Sequence, residues 1–249
     1  MNNRTSYRFT IVVPLFNERD NLPRLEERLA AYLAKAAVQP ACVLFVDDGS
    51  TDGGSPLLEA MCRRHDAFFF LHFAQNRGLS AALKAGFDAC ASPLVGYIDA
   101  DLQTDPEDFD LLLPQAEAHA MVMGIRTGRQ DSFGKRLISR FANRWRRRLV
   151  HDTAQDTGCP LKVLQTAYAR RLPCLNGMHR FLPALISSMG GDYLQIPVHH
   201  HPRTAGQSKF NLKNRFWGPI RDTFGYRWYQ RRWINYTIDN SKLEDSPLD

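Results

Sequence analysis

Leu94-Val95-Gly96-Tyr97-Ile98-Asp99-Ala100-Asp101-Leu102-Gln103 is an apolar run that stops at two carboxylates one residue apart. A buried strand ending this way presents hard oxygen donors at the mouth of a sheet, suited to Mg²⁺ or Mn²⁺ holding a diphosphate. One Asp-x-Asp is weak by itself, because loop acids and caps share the pattern. A second acidic turn closes another apolar run upstream, where Val43-Leu44-Phe45-Val46 leads into Asp47-Asp48-Gly49-Ser50-Thr51-Asp52. Two strands ending in acidic turns, about fifty residues apart, set the direction of the reading.

On either side of these turns, strand and helix signals alternate as they do in a parallel sheet, which makes the fold class α/β. Expected strands cover 9–14, 42–46, 68–73, 94–98 and 121–124. Expected helices cover 22–35, with Asn21 as cap and Pro23 in the first turn, then 56–65 and 79–91. Beyond residue 125 the periodicity predicts an amphipathic basic helix over 135–149, in which Leu137, Ile138, Phe141, Trp145 and Leu149 share one side. A helix over 161–172, a strand over 193–198 and a last helix from Pro219 toward Tyr236 complete the expectation. No repeat or linker is evident, so 249 residues read as one continuous domain.

Charge is divided unevenly. Residues 1–125 carry 10 Lys and Arg against 17 Asp and Glu, a net of −7, while residues 126–249 carry 22 against 9, a net of +13. The acidic half fits a metal site, and the basic half fits an anionic partner: phosphate, nucleic acid or an anionic membrane surface. Cysteines 42, 62, 90, 159 and 174 form no Cys-x-x-Cys pair, which argues against a zinc site or a disulfide framework. No apolar stretch approaches the ~18–20 residues that span a bilayer. Phe9 to Phe16 leads straight into Asn17-Glu18, unlike a signal peptide, so the expectation is a cytoplasmic chain with reduced thiols. There is no Gly-x-Gly-x-x-Gly and no Gly-Lys-Ser/Thr, which argues against a dinucleotide enzyme or a P-loop NTPase.

Four turns close successive strands: Pro14-Leu15-Phe16-Asn17-Glu18, the Asp47 turn, Asn76-Arg77-Gly78-Leu79-Ser80 and the Asp99 turn. They are followed by Gly124 to Ser132, Asp156-Thr157-Gly158-Cys159, His179-Arg180-Phe181 and Arg203 to Lys209. This ordered set resembles the family 2 inverting glycosyltransferases of the GT-A fold, whose central sheet is mostly parallel and flanked by helices. It is most similar to the polyprenyl-phosphate branch, which includes dolichyl-phosphate mannose synthases and bacterial undecaprenyl-phosphate sugar transferases.

The resemblance implies that Pro14, Phe16, Asn17, Glu18, Lys84 and one of Asp47 or Asp48 form the nucleotide pocket. It implies that Asp99 lies on the ribose or metal side and that Asp101 with Gln103 ligates the Mg²⁺ or Mn²⁺. Arg126, Arg129, Arg203, Ser208 and Lys209 are the implied donors to phosphate, and Asp156 is the implied base or sugar-hydroxyl ligand, unless it caps the helix expected at 161. The implied partners are a nucleoside-diphosphate sugar, a polyprenyl phosphate and an anionic membrane surface, with peripheral association at its inner face. The implied domains are a catalytic unit over 1–212, divided near 125 into nucleotide-sugar and acceptor halves, and a basic aromatic helix and tail over 213–249.

Three other readings stand beside this one. A transferase of the same fold could act on a soluble or protein acceptor, and the aromatic, arginine-rich tail also suits a homo-oligomer contact. A nucleic-acid-binding protein would leave the ordered carboxylates of the first half without a task, so no nucleic-acid partner is expected. His199-His200-His201 is not expected to bind metal, because successive strand residues point to opposite faces.

Overall fold

The computed structural model describes residues 6–101, 103–127, 149–150, 152–199 and 212–234, with backbone alone over 212–220. Strands β1 (Phe9–Leu15), β2 (Ala41–Asp47), β3 (Phe68–His72) and β4 (Leu94–Tyr97) pair in parallel, and helices α1 (Leu22–Leu33), α2 (Ser55–Arg64) and α3 (Leu79–Ala89) lie between them in sequence. Strands β5 (Met121–Arg126), β6 (Lys162–Gln165) and β7 (Tyr193–Val198) extend the sheet to seven, in the order β3-β2-β1-β4-β6-β5-β7. Only β6 is antiparallel to its neighbours β4 and β5, so the ends of β1–β5 and β7 share one edge with the start of β6.

The central strands read as unbroken apolar runs because both faces are covered. Ile11, Val13, Val43 and Phe45 face a cluster completed by Leu25, Leu29 and Tyr32 of α1, Leu58 of α2 and Phe109. Val12, Leu44, Val46 and Val95 face the opposite cluster, with Leu83 and Phe87 of α3, Leu182 and Ile186. Each such Leu or Phe contributes about 1.5–3 kcal/mol when fully removed from water. α3 lies so close to β1 that a Cβ on Gly86 would come 2.5 Å from Val12 Cγ1.

Several expectations are corrected. The segment 161–172 is not one helix: Lys162–Gln165 is a strand, and only Thr166–Arg171 (α5) is helical. Its apolar positions alternate, with Leu161 and Val163 on one side of the sheet and Leu164 on the other. β4 and β5 supply backbone partners on both sides, and tertiary pairing overrides the helical pattern. With no helix starting at 161, Asp156 has no helix there to cap.

Asn21 makes no capping hydrogen bond to α1; it sits in a 3₁₀ turn, and its Nδ2 donates to Glu18 Oε2 at 2.6 Å. The last helix, α7, spans Leu212–Gln230, so it starts seven residues before the expected Pro219. The short helices α4 (Phe109–Leu112) and α6 (Leu182–Ser188) were not anticipated. The basic helix expected over 135–149 lies almost wholly outside the described residues, as do Arg129, His200, His201, Arg203, Ser208, Lys209 and Tyr236.

Candidate active site

The site grows from the shared sheet edge, where each strand hands its last residues to a turn. After β1 the chain turns at Asn17 with a φ of 54°, a left-handed conformation that asparagine tolerates better than most residues. The β2 turn holds it there: Asn17 N–H donates to Ser50 Oγ at 2.9 Å, and Thr51 N–H donates to Asn17 Oδ1 at 2.7 Å. Arg19 N–H and Gly54 N–H each donate to Asp52 at 2.9 Å. Phe16 is exposed, and Asn17 and Glu18 are half-buried.

Asp47 and Asp48 are both buried, and both are occupied by the protein itself. Asp47 accepts Ser50 N–H at 3.0 Å and Ser55 Oγ–H at 2.6 Å, and lies 3.0 Å from His72 Nδ1. Burial pushes its carboxyl up, but these hydrogen bonds outweigh it and hold the group below its ordinary range. Asp48 accepts Arg77 N–H at 2.6 Å, Gly78 N–H at 2.8 Å and Asn76 Nδ2 at 2.9 Å. It thereby ties the end of β2 to the turn that starts α3, where a negative charge also suits the helix N-terminus. Gly49 between them has a φ of +70°, and a Cβ there would lie 2.5 Å from the carbonyl carbon of Gln75.

Two strands along, Asp99 and Asp101 are half-buried beyond the end of β4, and Gln103 N–H donates to Asp101 Oδ1 at 3.2 Å. Among the described residues no cluster of three or more His, Cys, Asp or Glu side chains stands ready to hold a metal. Two carboxylates and an amide oxygen are nonetheless the hard donors that suit a divalent ion completing its shell with phosphate oxygens and water. The donor set fits such an ion shared with a bound diphosphate better than an all-protein cage.

β5 brings Arg126 to the same edge. Its Nε and Nη2 each donate to Asp156 at 2.8 Å in a bidentate fork, and its backbone N–H adds a third contact at 3.2 Å. Both side chains are about 15% exposed. Burial pushes the Asp156 carboxyl up, yet the Arg126 guanidinium more than offsets it and holds the group below its ordinary range. Lys84, on the second turn of α3, pairs with Asp88 beside the groove that contains Arg77. His199 is held by Asp108, through its backbone N–H at 2.7 Å and its Nδ1 at 2.9 Å.

Sequence reasoning missed Lys162, Ser55, His72 and Asp108, and assigned no role to Ser50 or Asn76. Lys162 had a visible signal, as the lone cation within the run Cys159-Pro160-Leu161-Lys162-Val163-Leu164.

Residues 10–169 match the family model described as Glycosyl transferase family 2. The chain belongs to this family. Over 205 residues it is 33% identical to the undecaprenyl-phosphate 4-deoxy-4-formamido-L-arabinose transferase of Yersinia enterocolitica, covering 82% of this chain and 62% of that protein. The Yersinia pestis protein of the same name is 32% identical over the same shares. The matched region thus spans somewhat under two thirds of these curated relatives.

Among solved structures, glucosyl-3-phosphoglycerate synthase from Mycobacterium tuberculosis, crystallised with Mg²⁺ and uridine-diphosphate, superposes with a TM-score of 0.66 at 16% identity, over 90% of this chain and 79% of that one. A mannosyltransferase from Pyrobaculum calidifontis in complex with GDP-Man and Mn²⁺ superposes with a TM-score of 0.61 at 16% identity, over 94% and 67%. At such identities the likeness is one of fold, and it agrees with the family 2 assignment and the expected GT-A architecture.

Proposed function

We propose that this family 2 chain is an inverting glycosyltransferase that moves one sugar from a nucleoside-diphosphate sugar to a polyprenyl phosphate at an anionic membrane surface. The observation that carries the reading is the convergence, at one sheet edge, of half-buried Asp99 and Asp101 with the Arg126 fork held by Asp156. Kinship with proteins named as undecaprenyl-phosphate sugar transferases supports the acceptor class.

In this reading Pro14, Phe16, Asn17 and Glu18 border the nucleotide, and Asp47 and Asp48 hold that wall from behind. Asp99, Asp101 and Gln103 would hold Mg²⁺ or Mn²⁺, which supplies Lewis-acid stabilisation to the departing diphosphate. Arg126 offers its guanidinium to phosphate, with Asp156 fixing its plane, and Arg129, Arg203, Ser208 and Lys209 are further phosphate donors. A phosphomonoester has a second pKa near ~6, so the acceptor oxygen is already anionic at neutral pH. It attacks the anomeric carbon from the face opposite the leaving group once both are held in line. No side chain has to remove a proton, which agrees with an ion-paired Asp156.

The membrane side of the reading rests on α7. Thr223 and Tyr226 are buried, while Arg221, Phe224 and Trp228 are exposed along one stripe of the helix without an acidic residue, and Arg231 and Arg232 are exposed in the turn that follows it. Arg232 lies over the Trp228 ring at 4.3 Å. Aromatic rings among arginines suit the headgroup layer of an anionic bilayer. No helix among the described residues is long and apolar enough to cross a membrane.

The test is incubation of the whole chain with polyprenyl phosphate, Mn²⁺ or Mg²⁺ and a panel of labelled UDP- and GDP-sugars. An acid-labile glycolipid is the expected product. No product from any donor, with the protein folded and vesicles present, overturns the proposal.

A further inference from the structure

Lys162 is fully buried on the middle strand of an antiparallel trio, in register with Tyr97 of β4 and Met123 of β5. Burying an ammonium is costly, and a leucine or methionine on β6 would avoid that cost. The side chain is well accommodated nonetheless. Its Nζ donates to Tyr97 Oη at 3.2 Å, to the Thr157 carbonyl at 3.4 Å and to the Cys159 carbonyl. An ammonium has three protons and no lone pair, so three oxygens are the set the charged form requires.

Burial is the larger influence and pulls the ammonium below its ordinary value, with the Arg126 guanidinium acting in the same direction, while Cys159, Asp156 and Asp99 favour the charge. The contacts join two parts of the site. Tyr97 is the last residue of β4, two before Asp99, and Thr157 and Cys159 belong to the turn that begins at Asp156.

We propose that Lys162 is a positioning residue: its buried Nζ fastens the Asp156–Cys159 turn to the end of β4 and so holds Asp99 and the Arg126–Asp156 fork at one spacing. The assignment rests on the transferase reading above and adds to it a residue that touches neither substrate nor ion. A methionine fills the same volume but offers no donor to either turn. The two turns then lose their common anchor, and phosphate donors and carboxylates set at one spacing drift apart. Such a loss falls on the turnover step, where groups must be held within a fraction of an ångström of their working geometry.

The experiment compares wild type, Lys162→Met and Lys162→Arg, each as the whole chain. Thermal melting, kcat and KM for the sugar nucleotide, and the melting shift produced by nucleoside diphosphate with Mn²⁺ are measured for each. The expected result is Lys162→Met melting at or above the wild-type temperature, with KM within about 3-fold and kcat reduced about 30- to 100-fold. Lys162→Arg, which keeps the charge and the donors, should recover most of the lost turnover.

A folded Lys162→Met with wild-type kcat overturns the proposal. So does a loss confined to KM, or a loss in both variants that tracks a lowered melting temperature, since either marks a merely structural side chain. A wild type that makes no product overturns the transferase reading and this one together, whereas an active wild type matched by Lys162→Met overturns this one alone.

Discussion

Asp48 and Asp101 stand on the same sheet edge with opposite work to do. Asp48 is buried and spends its carboxylate on Asn76, Arg77 and Gly78, whereas Asp101 is half-buried at a turn of hard oxygen donors. Asp48→Ala should therefore cost stability, about 1–3 kcal/mol for the donors left without their acceptor, which lowers the melting temperature by roughly 2–12 °C. Asp101→Ala should melt within about 2 °C of wild type yet lose the Mn²⁺-dependent shift produced by a nucleoside diphosphate. A calorimetric scan of both variants, with and without ligand, checks the pair of expectations at once. Asp47 and Asp156 carry a pH signature, since each sits below its ordinary range in the folded chain and so binds fewer protons there than when unfolded. Their contribution to stability is complete above the unfolded carboxyl value of about 3.9 and erodes as pH falls below it toward the folded values. Urea midpoints measured from pH 7 to pH 3 should stay level at first and drop chiefly below about pH 4. Asp156→Asn should start lower and drop less, and a loss that is instead complete above about pH 5 would contradict the assignment.

Packing between elements is tightest where α3 crosses β1. Replacing Gly86 by Ala gains about 1 kcal/mol in helix propensity, but the new methyl would press on the fully buried Val12, and overpacking of this kind costs about 1–3 kcal/mol. The clash is with a branched side chain that has no open space to enter, so the steric cost should win and lower the urea midpoint. Val12→Ala in the same chain should relieve it, and a double-mutant cycle would show the two changes to be coupled rather than additive. The elements most legible from sequence are those whose character is carried within their own residues. β1, β2 and β4 announce themselves as apolar runs of strand length bounded by turn residues, because helices cover both of their faces. β6 does not, since a four-residue strand is defined by the β4 and β5 backbones on either side, and its lysine breaks the apolar run that would have marked it. The site divides in the same way. The acidic turns were visible as motifs, but the saturation of Asp48 depends on donors 28 to 30 positions away. The pairing of Asp156 with Arg126, 30 positions apart, likewise exists only once β5 and β6 have paired.

Across the whole molecule the described fold has an acidic working edge and a helix whose outer stripe is aromatic and basic. Proposed catalysis on a lipid-borne phosphate requires these two features to meet their partners together, because an acceptor tethered in a bilayer reaches only a protein already lying on that bilayer. Binding should then come from two terms with different signatures. Arg221, Arg231 and Arg232 supply an electrostatic attraction that grows with anionic lipid content and is weakened by salt, at about 1 kcal/mol per residue near the surface. Phe224 and Trp228, 57% and 59% exposed, supply an apolar contribution that salt does not screen. Flotation with vesicles containing anionic phospholipid should recover the chain at low salt and lose most of it at high salt, while neutral vesicles should recover little. Phe224→Ala with Trp228→Ala should weaken flotation without changing its dependence on salt, since the charges remain, and should leave the melting temperature unchanged because both rings face solvent. Turnover of a vesicle-borne polyprenyl phosphate should fall in step with flotation, while the nucleotide-induced melting shift stays at its wild-type value. Flotation indifferent to these rings would assign the stripe to contact between copies of the chain, and sedimentation of wild type against the double variant would then reveal the change in mass.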